Sequence, residues 1–247
     1  MIFLLSKLWS KLESGHLTPD GKVNHATLRE DDFYWKFEDD CCELQKVSLK
    51  AMNANTKTAF VINLYNLMIK YSFVKLGVPT TDASRHVFFD GVCVNIGGTN
   101  FSLNDLEHGI LRANAKAPYR LNKQFSLMDG RKSFSLDKID PRIHFALNCG
   151  AKGCPSVQRY TLEALDEELR LAALAFCEQD DNVLVDEANN TLGLSKIFYW
   201  YMGDFGKYQL VLFTVWLHHW LIPVLKFRHP LAQHHQRMSY LPKWFNI

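Results

Sequence analysis

The stretch from residue 58 to residue 76 most constrains the fold of this chain, because its apolar side chains cover more than one face of a helix. Thr56 or Thr58 can cap the start of this helix, and Gly77 followed by Pro79 ends it. A helix that is apolar on several sides must be surrounded by other elements. The sequence therefore predicts a core helix around which the rest of the domain packs.

The other segments predict more helices than strands. We expect further helices at residues 2–12, from 25 toward 52 with breaks, at 103–112 opened by a Ser102–Asp105 capping pair, at 162–178 and at 207–226. We expect a buried strand at 143–148 and hairpins at 86–96, around Asp90-Gly91, and at 183–194. These elements predict the α+β class, as a helix-rich single domain with a small sheet of short strands and hairpins. Residues 1–24 would be an N-terminal helical extension, and residues 25–247 the domain.

A short aromatic helix is predicted to open at Ser195 and to end at Gly203. Lys196, Trp200 and Asp204 recur at every fourth position through this segment. Residues with that spacing share one face of a helix. We interpret them as a structural face that packs an aromatic ring between two charges.

Charge and cysteine content bound the class of protein. A net charge of +2 over 247 residues excludes a chain dedicated to nucleic acid, because neutralising phosphates takes a clear basic excess. The six cysteines form no compact disulfide framework and include no CxxC pair, which indicates reduced thiols and a cytoplasmic protein. We expect a protein or peptide as partner or substrate, and the sequence leaves the oligomeric state open.

The most apolar stretch is residues 210–227, which His218, His219 and Pro223 interrupt. It is shorter than the ~20 residues that a membrane-spanning helix needs. We expect a helix packed on the domain, and any association with a membrane would occur only through this stretch.

Cys149 is the candidate nucleophile, since it follows the predicted buried strand in a turn. A thiol attacks as the thiolate, which needs a cation, an imidazole or a helix N-terminus nearby. His108, which comes from a separate helix, is the candidate base. Asn63 and Asn66 share one face of the core helix, and one of them can orient the imidazole or bond the backbone around the thiol. This arrangement predicts a hydrolase or acyl transferase acting on an amide or thioester.

Four more residues are predicted to line the substrate site: His144, Arg112, Gly150 and Cys154. Arg112 lies one helical turn after His108, where its charge would lower the pKa of the imidazole and keep it neutral. The turn amides that begin at Gly150 can stabilise an oxyanion. The alternative is that Glu107, His108 and Arg112 on this helix form a solvated surface cluster without a catalytic role.

Other functions also fit this region. If Cys149 is a buried structural residue, the chain is a non-catalytic interaction or scaffolding module. Cys149 with Cys154 could instead exchange a disulfide, although the four intervening residues match no established redox motif. Zinc could bind these thiols with His108 and His144, but the spacing matches no zinc pattern, and we expect no metal and no cofactor. His144 would point to the strand face opposite Cys149 and is not expected to meet it.

Five segments resemble the motifs of one known family. They are AFVINLYN at 59–66, LEHGILR at 106–112, DPRIHFALNCG at 140–150 with Cys154-Pro155, LSKIFYWY at 194–201 with Asp204-Phe205, and YLPKWFN at 240–246. On these segments the chain resembles the domain of unknown function 547 family over residues 25–247. The resemblance implies no chemistry. It does suggest regulatory or interaction roles, because the domain is joined to other modules in plants and animals. Two positions depart from the family pattern: Lys243 replaces an acid and Gly153 replaces a serine.

Overall fold

A computed structural model describes residues 2–20, 22–150, 157–186 and 191–205. Seven α-helices run through these ranges: α1 Ile2–Ser14, α2 His25–Arg29, α3 Asp32–Cys41, α4 Ala54–Leu76, α5 Asp82–Gly91, α6 Leu165–Cys177 and α7 Lys196–Trp200. Five 3₁₀ helices lie at Cys42–Lys46, Leu49–Ala51, Gly130–Phe134, Pro141–Phe145 and Met202–Asp204, and a π-helix covers Asp105–Leu111. The strands are β1 Cys93–Ile96, β2 Thr99–Ser102, β3 Val183–Asp186 and β4 Thr191–Leu194. The α+β class and its helix-rich character are confirmed. The strands form two separate antiparallel pairs, β1–β2 and β3–β4, rather than one small sheet.

Helix α4 is the core helix that the sequence predicts. Its side chains from Thr58 to Ile69 are buried without interruption. The Asn53 side chain accepts a hydrogen bond from the Thr56 amide at 2.9 Å and caps the helix one turn earlier than predicted. Gly77 ends the helix with φ +84°, as the sequence indicates. Helices α1 and α2 pack against α4, while the division into an extension and a domain stays a prediction.

The apolar core consists of two clusters that meet at the 3₁₀ helix Pro141–Phe145. Ile143 belongs to the larger cluster around α4. Phe145 belongs to the smaller cluster, where its ring packs against Phe176, Phe198 and Phe205. The segment just before Cys149 is therefore held from both sides by buried apolar side chains.

The predicted strand at 143–148 is wrong. Asp140 accepts a hydrogen bond from the Arg142 amide at 3.0 Å, and Pro141 stands in the first turn. An acidic cap followed by proline starts a helical turn, because proline fixes φ at a helical value. The segment has no alternation of faces, so the argument that kept His144 away from Cys149 no longer applies.

The hairpin predicted at 86–96 is also wrong, because Asp90-Gly91 ends a helix. Thr81 and Ser84 form a capping box that opens α5, and this cap favours a helix over the competing turn signal. The hairpin lies further along the chain, where β1 pairs with β2 across Gly97 and Gly98. Both glycines have positive φ angles, +57° and +79°, as a tight hairpin turn requires.

Other predicted elements are confirmed. Strands β3 and β4 pair as expected, Ser195 caps α7, and α6 lies within the helix predicted at 162–178. The Ser102–Asp105 pair is a reciprocal cap, with bonds of 3.1 Å and 2.9 Å between each side chain and the other amide. The predictions for 207–226, 210–227 and Cys154 lie outside the described residues. Among the helices that are described, none has the length and apolarity to cross a membrane.

Candidate functional site

A buried polar network occupies the space between the π-helix, the 3₁₀ helix before Cys149 and the end of α7. Its members share hydrogen bonds or ring contacts, and they are Tyr65, Glu107, His108, Arg112, His144, Tyr201 and Asp204. Glu107 is 8% exposed, His108 2% and Arg112 4%. The alternative of a solvated surface cluster is therefore wrong. Charged groups are seldom buried without partners, so each partner has to be identified.

The π-helical winding of this segment buries three of its polar side chains in the same network: Glu107, His108 and Arg112. The amide of Arg112 bonds the carbonyl of Glu107, five residues back, at 2.9 Å. Gly109 lets the Phe125 ring pack directly against this helix, because a Cβ there would lie 2.3 Å from the ring. Such π-turns occur often at functional sites. The sequence predicted an α-helix here, in which adjacent side chains point in different directions. It therefore did not predict that Glu107 and His108 are both buried.

Arg112 connects most of the network. Its Nε and Nη2 donate to the two carboxylate oxygens of Asp204 at 2.6 Å and 3.0 Å. Its Nη1 donates to the carbonyl of Lys116 at 2.8 Å and lies 2.9 Å from His108 Nδ1. A guanidinium has no acceptor, so His108 Nδ1 must be the accepting nitrogen. The neutral imidazole of His108 therefore carries its hydrogen on Nε2.

His108 is neutral at physiological pH. Its pKa is lowered from 6.5 to about 4, chiefly by burial; Glu107 opposes the shift and Arg112 contributes to it. The prediction that Arg112 lowers this pKa is confirmed, although burial is the larger cause. Glu107 Oε1 lies 3.6 Å from His108 Nδ1, beyond hydrogen-bond distance, so Glu107 does not orient the ring.

His144 and Asp204 form a buried imidazole–carboxylate pair. Their Nε2 and Oδ2 atoms are 2.8 Å apart. Burial opposes ionisation of Asp204, but hydrogen bonds from His144 and Arg112 outweigh it and lower the carboxyl pKa to about 2. Burial also lowers the pKa of His144, against the effect of Asp204. An ionised carboxylate only accepts, so the neutral His144 ring carries its hydrogen on Nε2 and leaves Nδ1 as an acceptor.

Two tyrosines complete the network. Tyr201 and Tyr65 donate their hydroxyl hydrogens to the carboxylate oxygens of Glu107, at 2.7 Å and 3.1 Å. The Tyr201 ring also stacks on His144, with centroids 3.8 Å apart, and lies under the Arg112 guanidinium. Burial raises the pKa of Glu107, yet the neighbouring His108 and the Tyr201 hydrogen bond outweigh burial and lower it.

Sequence reasoning missed Tyr65, Tyr201 and Asp204. The interpretation of Asp204 as part of a structural helix face is wrong. Helix α7 ends at Trp200, whose side chain is 52% exposed, and Asp204 follows in a separate 3₁₀ turn. The available signal was the family resemblance, because all three residues fall inside segments that match its motifs.

Cys149 directly follows a segment that Asn66 holds in place. The Asn66 side chain donates to the carbonyl of Ala146 at 2.9 Å and accepts from the amide of Asn148 at 2.9 Å. The predicted bonding of this loop by an amide of α4 is thus confirmed. Arg85 Nη2 donates to the Cys149 carbonyl at 3.0 Å and lies 3.5 Å from its Sγ.

A charge on the Cys149 thiol also affects the pKa values of Tyr65 and Tyr201. Burial is the first cause that raises the pKa of Tyr65 and of Tyr201, and Glu107 is the second. Negative charge at Cys149 raises both values further. The sulfur itself lies next to a cation on α5, the Arg85 guanidinium.

Asn63 has the buried, hydrogen-bonded amide that the sequence predicts, but it holds a different segment. Its side chain donates to the Tyr160 carbonyl at 2.7 Å and accepts from the Tyr160 amide at 3.0 Å. Asn63 is only 4% exposed. Among the described residues, neither Asn63 nor Asn66 bonds a histidine, and a catalytic role for them stays a prediction.

Gly150 shapes the turn after the thiol. Its φ of +77° favours glycine, and a Cβ there would lie 2.4 Å from the ring of Phe73. Its amide donates to the Asn148 side chain at 2.8 Å, so the turn is fixed by a local bond. The predicted oxyanion role of the turn amides stays a prediction.

The described part of the chain contains a sizeable cleft and no cluster of metal-binding side chains. No three His, Cys, Asp or Glu side chains there are arranged to hold a metal ion. A cleft of about 360 Å³ has apolar walls that include Leu111 and Ile143, and its mouth carries Asp140, Arg142 and Asp166. None of the network side chains lines that cleft.

Comparison with known proteins supports three of the five motif segments, those at 59–66, 106–112 and 140–150. Residues 49–177, just over half of the chain, match the family described as "Protein of unknown function, DUF547". The matched range contains Cys149, His108 and His144, together with α4 and the π-helix. No curated protein and no solved structure matches the chain. The chain belongs to the DUF547 family.

Proposed function

We propose that the chain is a cysteine-dependent hydrolase or acyl transferase that attacks an amide or thioester through Cys149. The observation that carries the proposal is the setting of the thiol, with the Arg85 guanidinium 3.5 Å from Sγ and with His144 of the buried network in the 3₁₀ helix that precedes it. A nearby cation favours the thiolate, which is the nucleophilic form of cysteine. Networks of buried ionisable groups with shifted pKa values also mark functional sites more often than other regions.

The proposed reaction has two steps. His144 Nδ1 takes the proton of the thiol, the thiolate attacks the carbonyl carbon, and a C–S bond forms. The bond to the amine or thiol leaving group then breaks as that group takes this proton from His144. Water or an acceptor nucleophile then attacks the thioester and releases Cys149. We assign proton transfer to His144, because Asp204 fixes its tautomer and leaves Nδ1 as the acceptor, as in other carboxylate–imidazole pairs.

His108 has a different role in this proposal from the base that the sequence predicts. Arg112 occupies its Nδ1, so the Nε2 hydrogen can only be donated. A neutral donor of this kind stabilises negative charge that develops on a carbonyl oxygen. Service as a base would require the ring to change tautomer and to give up the bond from Arg112.

Alkylation of Cys149 as a function of pH tests the proposal. The intact protein is treated with iodoacetamide, and labelling of each cysteine is followed by peptide mass spectrometry. Cys42 is exposed and provides an internal reference in the same sample. We expect Cys149 to be labelled faster than Cys42 at pH 7, and His144→Asn to slow only the labelling of Cys149. A Cys149 that stays unlabelled up to pH 8 would contradict the proposal.

A non-catalytic interaction module is the second candidate. It is supported by apolar side chains that project from the segment after the π-helix. Leu121 is 88% exposed, Leu127 86% and Met128 94%. Exposed apolar side chains in close sequence often mark surfaces that bind proteins. If Cys149 proves inert, this function with a protein or peptide partner becomes the better explanation of the fold.

A further inference from the structure

Helix α5 and the segment around Tyr119 connect the thiol to His108 along one side of the site. Arg85 on α5 contacts Cys149. The next residue, His86, stacks on the Tyr119 ring with centroids 4.6 Å apart. The Tyr119 ring in turn meets His108 edge-on at 6.3 Å. Because His86 and Tyr119 are exposed side chains, this side of the network faces solvent.

Arg85 differs from the other arginines near this opening. Arg112 is paired with Asp204, and Arg120 is paired with Asp90. Arg85 forms no ion pair with any carboxylate in the ranges that the structure describes, and its hydrogen bonds there go only to Cys149. The charge of this guanidinium is therefore not neutralised by a described side chain.

The position of Arg85 is nevertheless well defined. Its guanidinium lies 5.5 Å from the centroid of the Phe89 ring, one turn further along α5. One nitrogen is fixed on the Cys149 carbonyl, and the side chain as a whole is half-buried. A guanidinium that is held by one nitrogen keeps further N–H donors in a fixed plane. Such a plane matches the geometry of a carboxylate.

We propose that Arg85 binds a carboxylate of the substrate, so that the acyl group attacked by Cys149 carries an anionic group beside the reacting carbonyl. This inference rests on the proposed function and specifies its substrate class. The carboxylate can belong to an acidic side chain or to a chain terminus, since both present the same two oxygens. Arg112 cannot take this role, because Asp204 already binds two of its nitrogens.

Two alkylating probes of different charge test the inference. Iodoacetate and iodoacetamide have the same size and react alike: the thiolate forms a C–S bond and iodide leaves. Only iodoacetate carries a carboxylate. The measured quantity is the ratio of the iodoacetate rate to the iodoacetamide rate at Cys149. A change in the thiolate fraction affects both rates equally and cancels in this ratio, so the ratio reports on carboxylate binding alone.

We expect Arg85→Gln to lower this ratio at Cys149 by about fivefold, which corresponds to about 1 kcal/mol for a charge pair at ~4 Å in water. Arg85→Lys keeps the charge and should stay within about twofold of wild type. Arg170→Gln is the matched control, because it removes an exposed arginine from α6 and should leave the ratio unchanged. In the wild-type protein, added salt should lower the ratio at Cys149 and should not lower it at Cys42, because salt screens the attraction to Arg85.

The outcomes separate this inference from the function on which it rests. If both probes label Cys149 quickly and the ratio is unaffected by Arg85→Gln and by salt, Arg85 does not bind a carboxylate, while the nucleophile is retained. If neither probe labels wild-type Cys149, the proposed function fails, and the substrate class fails with it. The salt experiment needs no variant, so a ratio that salt leaves unchanged contradicts the inference even if Arg85→Gln does not fold.

Discussion

As the pH falls, the protonation of His108 should destabilise this protein before the carboxylates of the protein titrate. The pKa of the imidazole falls from 6.5 to about 4 on folding, chiefly because of burial. The unfolded chain therefore binds more protons than the folded chain between these two values. The free energy of unfolding is greatest above pH 6.5, and it falls as the pH decreases toward 4.

The size of this effect follows from the two pKa values. Integrating proton binding from pH 7 to pH 5 gives a loss of about 2 kcal/mol from His108 alone. We expect His108→Gln to remove this part of the pH dependence, because glutamine does not titrate and can still accept from Arg112. Urea denaturation of both proteins at several pH values between 7 and 5 measures the difference, provided that the slope with urea stays constant.

His86→Gln is the matched control for this experiment. It removes an imidazole that is exposed in the folded chain, so it should follow the wild-type curve. If His108→Gln and wild type lose the same free energy between pH 7 and pH 5, His108 is not held neutral by burial. The tautomer assigned to it, and its role as a donor, would then be refuted.

Three further substitutions have expected outcomes in the same denaturation assay. Asp204→Asn should cost about 3–5 kcal/mol, because it leaves the charge of Arg112 buried without its carboxylate; a loss below 1 kcal/mol would mean that water reaches the pair. Asn66→Ala should cost about 2–4 kcal/mol through two lost backbone hydrogen bonds and their unsatisfied partners, and it should also change the labelling rate of the thiol. Gly150→Ala should cost about 1–3 kcal/mol from overpacking against Phe73, whereas an unchanged midpoint would show that the ring moves aside.

The sequence predicted the centre of the fold because that part depends on local and periodic signals. The core helix is visible as an apolar stretch closed by Gly77, and its buried amides are visible because asparagine is unusual in such a stretch. Asn66 bonds the backbone before Cys149, as a buried amide on that face suggested. These inferences need no knowledge of which distant segments meet.

The errors arose where two local signals compete. Asp90-Gly91 favours a hairpin turn, yet the Thr81–Ser84 capping box had already started α5, and a helix once started extends easily. The apolar run at 143–148 has the composition of a strand, but the Asp140-Pro141 pair starts a 3₁₀ turn instead. In both cases the residue that begins an element decided its type, against the composition of the residues that follow.

The chemistry of the site depends on contacts that no local pattern encodes. Arg112 and Asp204 lie 92 positions apart in the chain, and their pairing fixes the hydrogen positions on both His108 and His144. Sequence reasoning could find the two imidazoles but not their tautomers, because a tautomer is set by the partner of the opposite nitrogen. With Arg112 donating to His108 and Asp204 accepting from His144, one ring can only donate at its remaining nitrogen and the other can only accept there. In the proposed acyl transfer, the donor imidazole stabilises the oxyanion and the acceptor imidazole moves the proton, which are the two opposite functions that this reaction requires.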